Sequence, residues 1–255
     1  MVRYCSLGSG SRGNATLVAD GDQALLIDCG FSRKNVLQRV LESECPVEQL
    51  QGVLVTHEHS DHAKGVQSLC EALDIPFYCS HGTARKMQWQ SHELWRCITA
   101  EEAITVAGIQ VMPVVVPHDA LEPLQFVLRS RADRVLGVLS DLGSLTPHVL
   151  SHYRQCHGLQ VEANHDPFML QNGPYPPSLR ARVAGQYGHL SNQQCAELIR
   201  ASLWSGLQSV SAGHISEKNN DEQLVRQMLA QVLSCQPEEV QLLSQDEVSP
   251  WQQLN

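Results

Sequence analysis

The run Thr56-His-Glu-His-Ser-Asp-His62 limits what this chain can fold into more than any other stretch. It follows an apolar segment at 52–56 that is typical of a buried strand, and it precedes helically spaced apolar residues at 63–73. A solvated polar loop would explain any one of its histidines, but the crowding favours a metal-binding turn. Imidazole and carboxylate suit Zn²⁺, Mn²⁺ and Fe²⁺. The candidate ligands are His57, His59, Asp61 and His62.

The composition is that of a folded protein with a sizeable core. With 255 residues and 42% hydrophobic content, the chain can form one large or two small domains. No linker or repeat interrupts it, which favours a single domain over 1–255. No apolar run suits a signal peptide or a membrane span, and the nine cysteines lack paired spacing. We therefore expect a cytoplasmic protein with reduced thiols and no membrane association.

The net charge of −9 makes the chain a poor generic nucleic-acid binder, because phosphate binding draws on lysine and arginine. The overall charge does not settle the local one, however. Two divalent ions held at one site would make that site positive, and phosphate could then bind there. The charge therefore leaves phosphate-containing substrates open.

Polar residues repeatedly follow the apolar runs that we expect to be strands. Taken singly, such residues cap turns or form structural hydrogen bonds. Their recurrence at strand ends instead predicts a layered α/β fold in which they meet at one edge of a sheet. The residues at such positions are Asp28, His118, Asp141, Glu162, His165, His189 and His214.

These motifs together resemble the metallo-β-lactamase superfamily. Asp28 with a following glycine, the 56–62 run, His118, Asp141 and His214 look like its five motifs. The resemblance implies an α/β fold, the four-layer αββα metallo-β-lactamase sandwich, with a metal cleft at one edge. The segments 9–14, 161–166, 188–191 and 213–220 look like the YycJ/WalJ branch, which is similar to the phosphodiesterases RNase Z and PhnP. Members of that branch are described as DNA exonucleases acting from the 5′ end.

The resemblance also implies a ligand set for two divalent metal ions, with Zn, Mn or Fe all open. One ion would bind His57, His59 and His118, and the other Asp61, His62 and His214, with Asp141 bridging. A hydroxide shared by the ions would be the nucleophile. Asp28 would accept a hydrogen bond from a ligand histidine. The residues expected to act in catalysis are Asp61, Glu162 and His189.

Glu162 and His189 match the carboxylate and histidine that RNase Z-like enzymes use beside the metals, where such a pair can protonate a departing alkoxide. The alternative for His189 is a helix-start residue that orients Ser191. Further residues are candidates for substrate contact, although a plain turn, a structural histidine or a solvated loop would explain each of them as well. These are Asn14, Asn164, His165 and Lys218.

The sequence therefore predicts a dinuclear metal-dependent phosphodiesterase, most simply an exonuclease on single-stranded DNA or RNA. A small phosphodiester substrate, as in PhnP-like enzymes, is the nearest alternative. Thioester or lactone hydrolysis of the glyoxalase II kind needs the same metals but neither Glu162 nor His189. The sequence leaves a homodimer open.

Overall fold

The computed structural model describes residues 2–255, which form two compact units. Unit 1 comprises the chain up to Val115, Ala120–Val135 and Ser244–Asn255, and unit 2 comprises Val116–Asp119 and Leu136–Leu243. The single domain expected over 1–255 stays a prediction. Among residues 2–255, no helix combines the length and apolar character needed to cross a membrane.

The described chain forms fourteen strands and nine α-helices. The strands are Val2–Gly8 (β1), Ala15–Asp20 (β2), Gln23–Ile27 (β3), Leu50–Leu54 (β4), Phe77–Cys79 (β5), Trp95–Cys97 (β6), Ile104–Val106 (β7), Ile109–Val115 (β8), Leu124–Arg129 (β9), Val135–Leu139 (β10), Gly158–Glu162 (β11), Ser209–Gly213 (β12), Gln241–Leu242 (β13) and Gln252–Leu254 (β14). The helices are Arg33–Glu42 (α1), Ser60–Ala63 (α2), Val66–Leu73 (α3), His81–Met87 (α4), Pro147–Tyr153 (α5), Pro167–Asn172 (α6), Pro177–Val183 (α7), Asn192–Ala201 (α8) and Glu222–Leu233 (α9).

Unit 1 contains a sheet in the order β14-β1-β2-β3-β4-β5-β6. Strands β1 to β3 are antiparallel, whereas β3 to β6 run parallel, with Ile27 opposite Leu54. The carboxyl ends of β3 and β4 therefore lie side by side. Helices α1 and α3 bury apolar residues such as Val36, Val40 and Leu69 in the core of this unit. Strands β7, β8 and β9 form an antiparallel ladder in the same unit.

Unit 2 is built on parallel strands. Strand β11 pairs with β10 and β12, and β12 pairs with β13, all in parallel register. Leu139 lies opposite Val161, and Glu162 lies opposite Gly213. Because parallel strands end at the same edge, the residues that close β10, β11 and β12 come together there.

The structure confirms most strands and long helices expected from periodicity and corrects others. The helix expected at 63–73 is divided, since Ala63 is the last residue of α2 and α3 begins only at Val66. Gly65, between the two helices, lies too close to Phe31 for a side chain. A Cβ there would lie 2.0 Å from the Phe31 carbonyl oxygen. The strand before the histidine run ends at Leu54, and the Thr56 N–H bonds to the Asp28 carboxylate rather than to a strand.

Helices α4 to α7 were missed because, at six or seven residues each, they are too short to show a helical period. Their capping residues were the available signal. Thr146 and Asp166 each cap a helix that begins with proline, and each side chain accepts a hydrogen bond from the backbone of the first turn.

Candidate metal centre

The turn after β4 holds its histidines at different depths. His57 and His62 are fully buried, whereas His59 and Asp61 are half-buried. His59 occupies the position before the first residue of α2. The turn packs against the segment after β3, where Gly30 is required because a Cβ would lie 1.7 Å from the Asp61 carbonyl oxygen. This explains the glycine that follows Asp28 in the motif.

Asp28 and Thr56 fix the orientation of the buried rings. The Asp28 carboxylate accepts hydrogen bonds from the Thr56 N–H at 2.8 Å and from its hydroxyl at 2.9 Å. His62 Nδ1 lies 2.7 Å from Asp28 Oδ2, and His57 Nδ1 lies 2.9 Å from Thr56 Oγ1. Because the threonine hydroxyl donates to Asp28, it accepts from His57. Both histidines therefore carry their proton on Nδ1, and Nε2 has the lone pair.

The contact predicted for Asp28 with a histidine of the turn is thus present. Sequence reasoning missed Thr56, which lies within the first motif and touches Asp28 and two of the histidines. Its position just after the strand, one residue before His57, was the available signal.

Asn14 is buried, with only 6% of its surface exposed, and its amide contacts the turn. The side chain accepts from the Gly10 N–H at 2.9 Å and lies 3.1 Å from His62 Nε2 and 3.4 Å from Asp61 Oδ2. Asn14 therefore supports the histidine turn, and substrate contact by this residue stays a prediction.

Four predicted site residues of unit 2 come together at the ends of β10 to β12. One atom from each of these side chains lies within 4.8 Å of the others. His214 Nδ1 lies 2.6 Å from Asp141 Oδ1 and 2.9 Å from Glu162 Oε1, and His189 Nδ1 lies 2.7 Å from the same Glu162 oxygen. The four residues are Asp141, Glu162, His189 and His214.

These contacts shift the pKa values of the cluster. Burial opposes charge on Glu162, but His189 and His214 more than offset it and hold the pKa of Glu162 at about 2. Burial would likewise lower the pKa of His214, yet Asp141 and Glu162 raise it to about 10. The pKa of His189 is also raised, because Glu162 and Asp141 outweigh its burial. Without a metal the cluster therefore consists of carboxylates paired with imidazolium groups.

His118 belongs to the same unit and is held by backbone. Its Nδ1 lies 3.1 Å from the Gly188 carbonyl oxygen, one residue before His189. Its Nε2 lies 3.4 Å from Asp119 Oδ1 and 3.9 Å from Asp141 Oδ2. The carbonyl places the proton on Nδ1, so Nε2 points its lone pair toward the carboxylates.

Three of the strand-end residues adopt left-handed backbone conformations. The φ angles are +62° for Asp28, +56° for Asp141 and +52° for His214. Among residues 2–255, they are the only buried non-glycine residues with positive φ. Such a conformation costs on the order of 1–3 kcal/mol per residue and persists where the surroundings enforce it, often at functional sites.

The candidate substrate residues occupy different environments. The Asn164 amide donates to the His214 carbonyl at 3.0 Å and is buried. His165 is buried and lines a cavity beside α6 and α7. Lys218 is exposed on the loop after β12. A substrate role for these three side chains stays a prediction.

The donor sets of both units fit divalent metal ions. Histidine ligands usually donate their second nitrogen to an oxygen, and His57, His62, His118 and His214 all place Nδ1 against one. His57 Nε2 lies 3.0 Å from His59 Nδ1, close to the roughly 3.4 Å between two nitrogens that bind one zinc ion tetrahedrally. The chemistry of these donors therefore suits metal ligation.

Comparison with known proteins places this geometry in context. The family described as "Beta-lactamase superfamily domain" matches residues 23–202. The chain is 30% identical to Exodeoxyribonuclease YycJ of Bacillus anthracis over 239 residues, which cover 91% of this chain and 89% of that protein.

Two solved structures share the fold at low sequence identity. The metallo-β-lactamase fold protein YhfI of Bacillus subtilis is 15% identical, with a TM-score of 0.76 over 98% of this chain and 99% of that one. A diphosphatase from the PhnP family is 17% identical, with a TM-score of 0.69 over 100% of this chain and 98% of that one.

Proposed function

Since this chain belongs to the beta-lactamase superfamily and has the metallo-β-lactamase fold, we propose that it is a metal-dependent phosphodiesterase. Its substrates are the ends of single-stranded DNA or RNA, from which it removes nucleotides in the 5′-to-3′ direction. The name of the similar protein from B. anthracis, an exodeoxyribonuclease, supports DNA as the substrate.

The observation that carries this proposal is the pairing of His189 with Glu162 beside Asp141. Cleavage of a phosphodiester expels an alkoxide, which is a poor leaving group and needs a proton. Glu162 holds the His189 ring through Nδ1 and raises its pKa, which favours the protonated imidazole and orients it to donate from Nε2. A thioester expels a stable thiolate and needs no such acid.

The metal ligands of this proposal are those that the resemblance to the superfamily implies. His57, His59 and His118 would hold one ion, Asp61, His62 and His214 would hold the other, and Asp141 would contribute to both. The ions are Zn²⁺ or Mn²⁺, with Fe²⁺ also compatible with these donors. When bound, they supply Lewis acidity and lower the pKa of water.

The other residues of the site prepare the ligands. Asp28 and Thr56 keep the Nε2 lone pairs of His57 and His62 available by holding the protons on Nδ1. The Glu162 carboxylate also accepts hydrogen bonds from the Leu142 and Leu190 N–H groups, at 3.2 Å each. These bonds keep the carboxylate fixed while His189 transfers a proton.

The net charge of −9 supports a second candidate, a small phosphodiester that needs no extended basic surface. The test compares three substrates with Mn²⁺- or Zn²⁺-loaded protein: a 3′-labelled single-stranded oligonucleotide, bis-p-nitrophenyl phosphate and S-lactoylglutathione. We expect stepwise shortening of the oligonucleotide. Turnover of only the small phosphodiester would favour the second candidate, and turnover of only the thioester would overturn phosphodiester chemistry altogether.

A further inference from the structure

Unit 2 contains a cavity of about 600 Å³ beside α6 and α7, outside the proposed ligand set. Its volume lies within the roughly 300–1,000 Å³ that is usual for small-molecule sites. One part of the lining is apolar, and the other carries polar or charged groups. Residues that line it include Leu170, Ala181 and Ala184, and His165, Gln171 and Arg180.

Two buried polar atoms near α6 have no hydrogen-bond partner among residues 2–255: His165 Nδ1 and Asn219 Oδ1. His165 is only 3% exposed and lines the cavity, and Asn219 is 1% exposed. Asn219 lies at the ends of α6, since its carbonyl accepts from the Asp166 N–H at 2.9 Å and a Cβ at Gly173 would lie 2.3 Å from its Oδ1. Buried polar atoms are almost always paired. Of the two residues only His165 lines the cavity, so only its Nδ1 can gain a partner from a ligand bound there.

The lining suits a nucleotide. Ala181 and Ala184 are exposed and offer apolar surface to the face of a base, and the Gln171 amide can both donate to and accept from a base edge. Arg180 donates from Nη1 to the Gln171 carbonyl, which uses one of its five N–H donors and leaves others for a phosphate. Phe168, on the same helix as Leu170, is 74% exposed and can stack on a neighbouring base.

The cavity is joined to the catalytic pair by short backbone links. The Asn164 N–H donates to the Leu190 carbonyl at 3.0 Å, one residue after His189. The His165 carbonyl accepts from the Asn192 N–H at 2.9 Å. His165 thus lies three residues after Glu162, the last residue of β11. Its carbonyl is hydrogen-bonded to the first residue of α8.

We propose that this cavity is a binding subsite for a nucleoside monophosphate unit of the substrate, with the base against Ala181 and Ala184 and the phosphate at Arg180. The choice of a nucleotide rests on the proposed function. The subsite would hold the terminal unit while the adjoining phosphodiester is cleaved, and it would favour nucleic-acid ends over phosphodiesters that lack a base.

The test measures binding of thymidine 5′-monophosphate and 2-deoxyribose 5-phosphate to the full-length, metal-loaded protein by isothermal titration calorimetry. The nucleotide should bind about tenfold or more tightly than the sugar phosphate, because only it places a base in the cavity. Ala181→Leu, which fills the cavity from α7, should remove most of that preference. Arg180→Ala should weaken both ligands.

Arg154→Ala is the matched control, because Arg154 is an exposed arginine of the same unit at the end of α5. It should bind both ligands like the wild type. Equal affinity for the two ligands, or a nucleotide affinity that neither Ala181→Leu nor Arg180→Ala changes, would overturn the subsite and place any bound nucleotide elsewhere. Thermal unfolding of each variant checks that it is folded.

The outcomes separate this subsite from the proposed function. Nucleotide binding that depends on Ala181 in a protein that leaves oligonucleotides intact would retain the subsite and refute the nuclease. Cleavage of oligonucleotides by a protein whose nucleotide binding is unaffected by Ala181→Leu would support the nuclease and refute the subsite.

Discussion

The histidines of unit 1 and those of unit 2 are held by different partners. In unit 1, the Nδ1 atoms of His57 and His62 rest on the Thr56 hydroxyl and on the Asp28 carboxylate. In unit 2, His189 and His214 share two buried carboxylates. Imidazole beside a hydroxyl is oriented without a full opposing charge, whereas imidazole between two carboxylates is strongly favoured in its protonated form.

The difference separates two tasks. The turn of unit 1 is built to present lone pairs in fixed directions, which is what a metal needs. The cluster of unit 2 also manages protons, as the raised pKa of His189 and the lowered pKa of Glu162 indicate. We therefore expect substitutions in unit 1 to act mainly through metal affinity, and substitutions of His189 or Glu162 to act mainly through rate.

The largest effect is expected for Asp141, which is assigned both to the metals and to the proton-handling cluster. Asp141→Ala should lower turnover by about 10³-fold or more, because loss of a charged ligand removes several kcal/mol of transition-state stabilisation. The measurement is oligonucleotide hydrolysis with metal content determined in parallel. Asp141→Asn is the control, because asparagine tolerates the left-handed backbone at this position. Wild-type turnover in the alanine variant would refute the bridging role.

His189→Ala should lower the rate by about 10²–10⁴-fold while metal content stays at the wild-type level. The reason is that His189 supplies a proton and is not among the proposed ligands. Steady-state kinetics and elemental analysis of the same preparation give both quantities. If the variant instead loses its metal, His189 is a ligand, and the separation of tasks within unit 2 is wrong.

Thr56→Val keeps the shape of the side chain but removes the hydroxyl that links Asp28 to His57. Metal affinity should fall by about 10–100-fold, the usual effect of losing a group that orients a ligand. Turnover at saturating metal should change much less. Competition with a chromogenic chelator measures the affinity, and Thr105→Val, at an exposed position of β7, serves as control. A large loss of saturated turnover would indicate that unit 1 contributes more than metal presentation.

The smallest effect concerns stability in metal-free protein. The pKa of His214 is about 10 when folded and about 6.5 for an ordinary histidine. A raised folded pKa stabilises the protein fully below about pH 6.5, and this contribution is lost as pH rises toward 10. The difference in unfolding free energy between chelator-treated wild type and His214→Gln should therefore shrink from pH 6.5 to 10. A constant difference would show that His214 is neutral in the folded protein.

Much of the site could be predicted from local sequence. The histidine run, its preceding strand and the repeated placement of acidic residues and histidines after apolar runs required only short-range patterns, and the expected αββα fold class is confirmed. The supporting contacts were harder to predict. Thr56, two residues after β4, shows no special role in the sequence, and only the parallel pairing of β3 with β4 brings Asp28 to it.

The sequence by itself determined which side chains could bind metal and that they follow strands, because strand and helix periods and ligand chemistry are local properties. Only the tertiary structure decided which nitrogen of each ring carries the proton, that Glu162 joins both His189 and His214, and that α6 and α7 border a cavity. Those features depend on the register of parallel strands and on the packing of helices too short to show a period. Both arise from contacts between residues far apart in the chain.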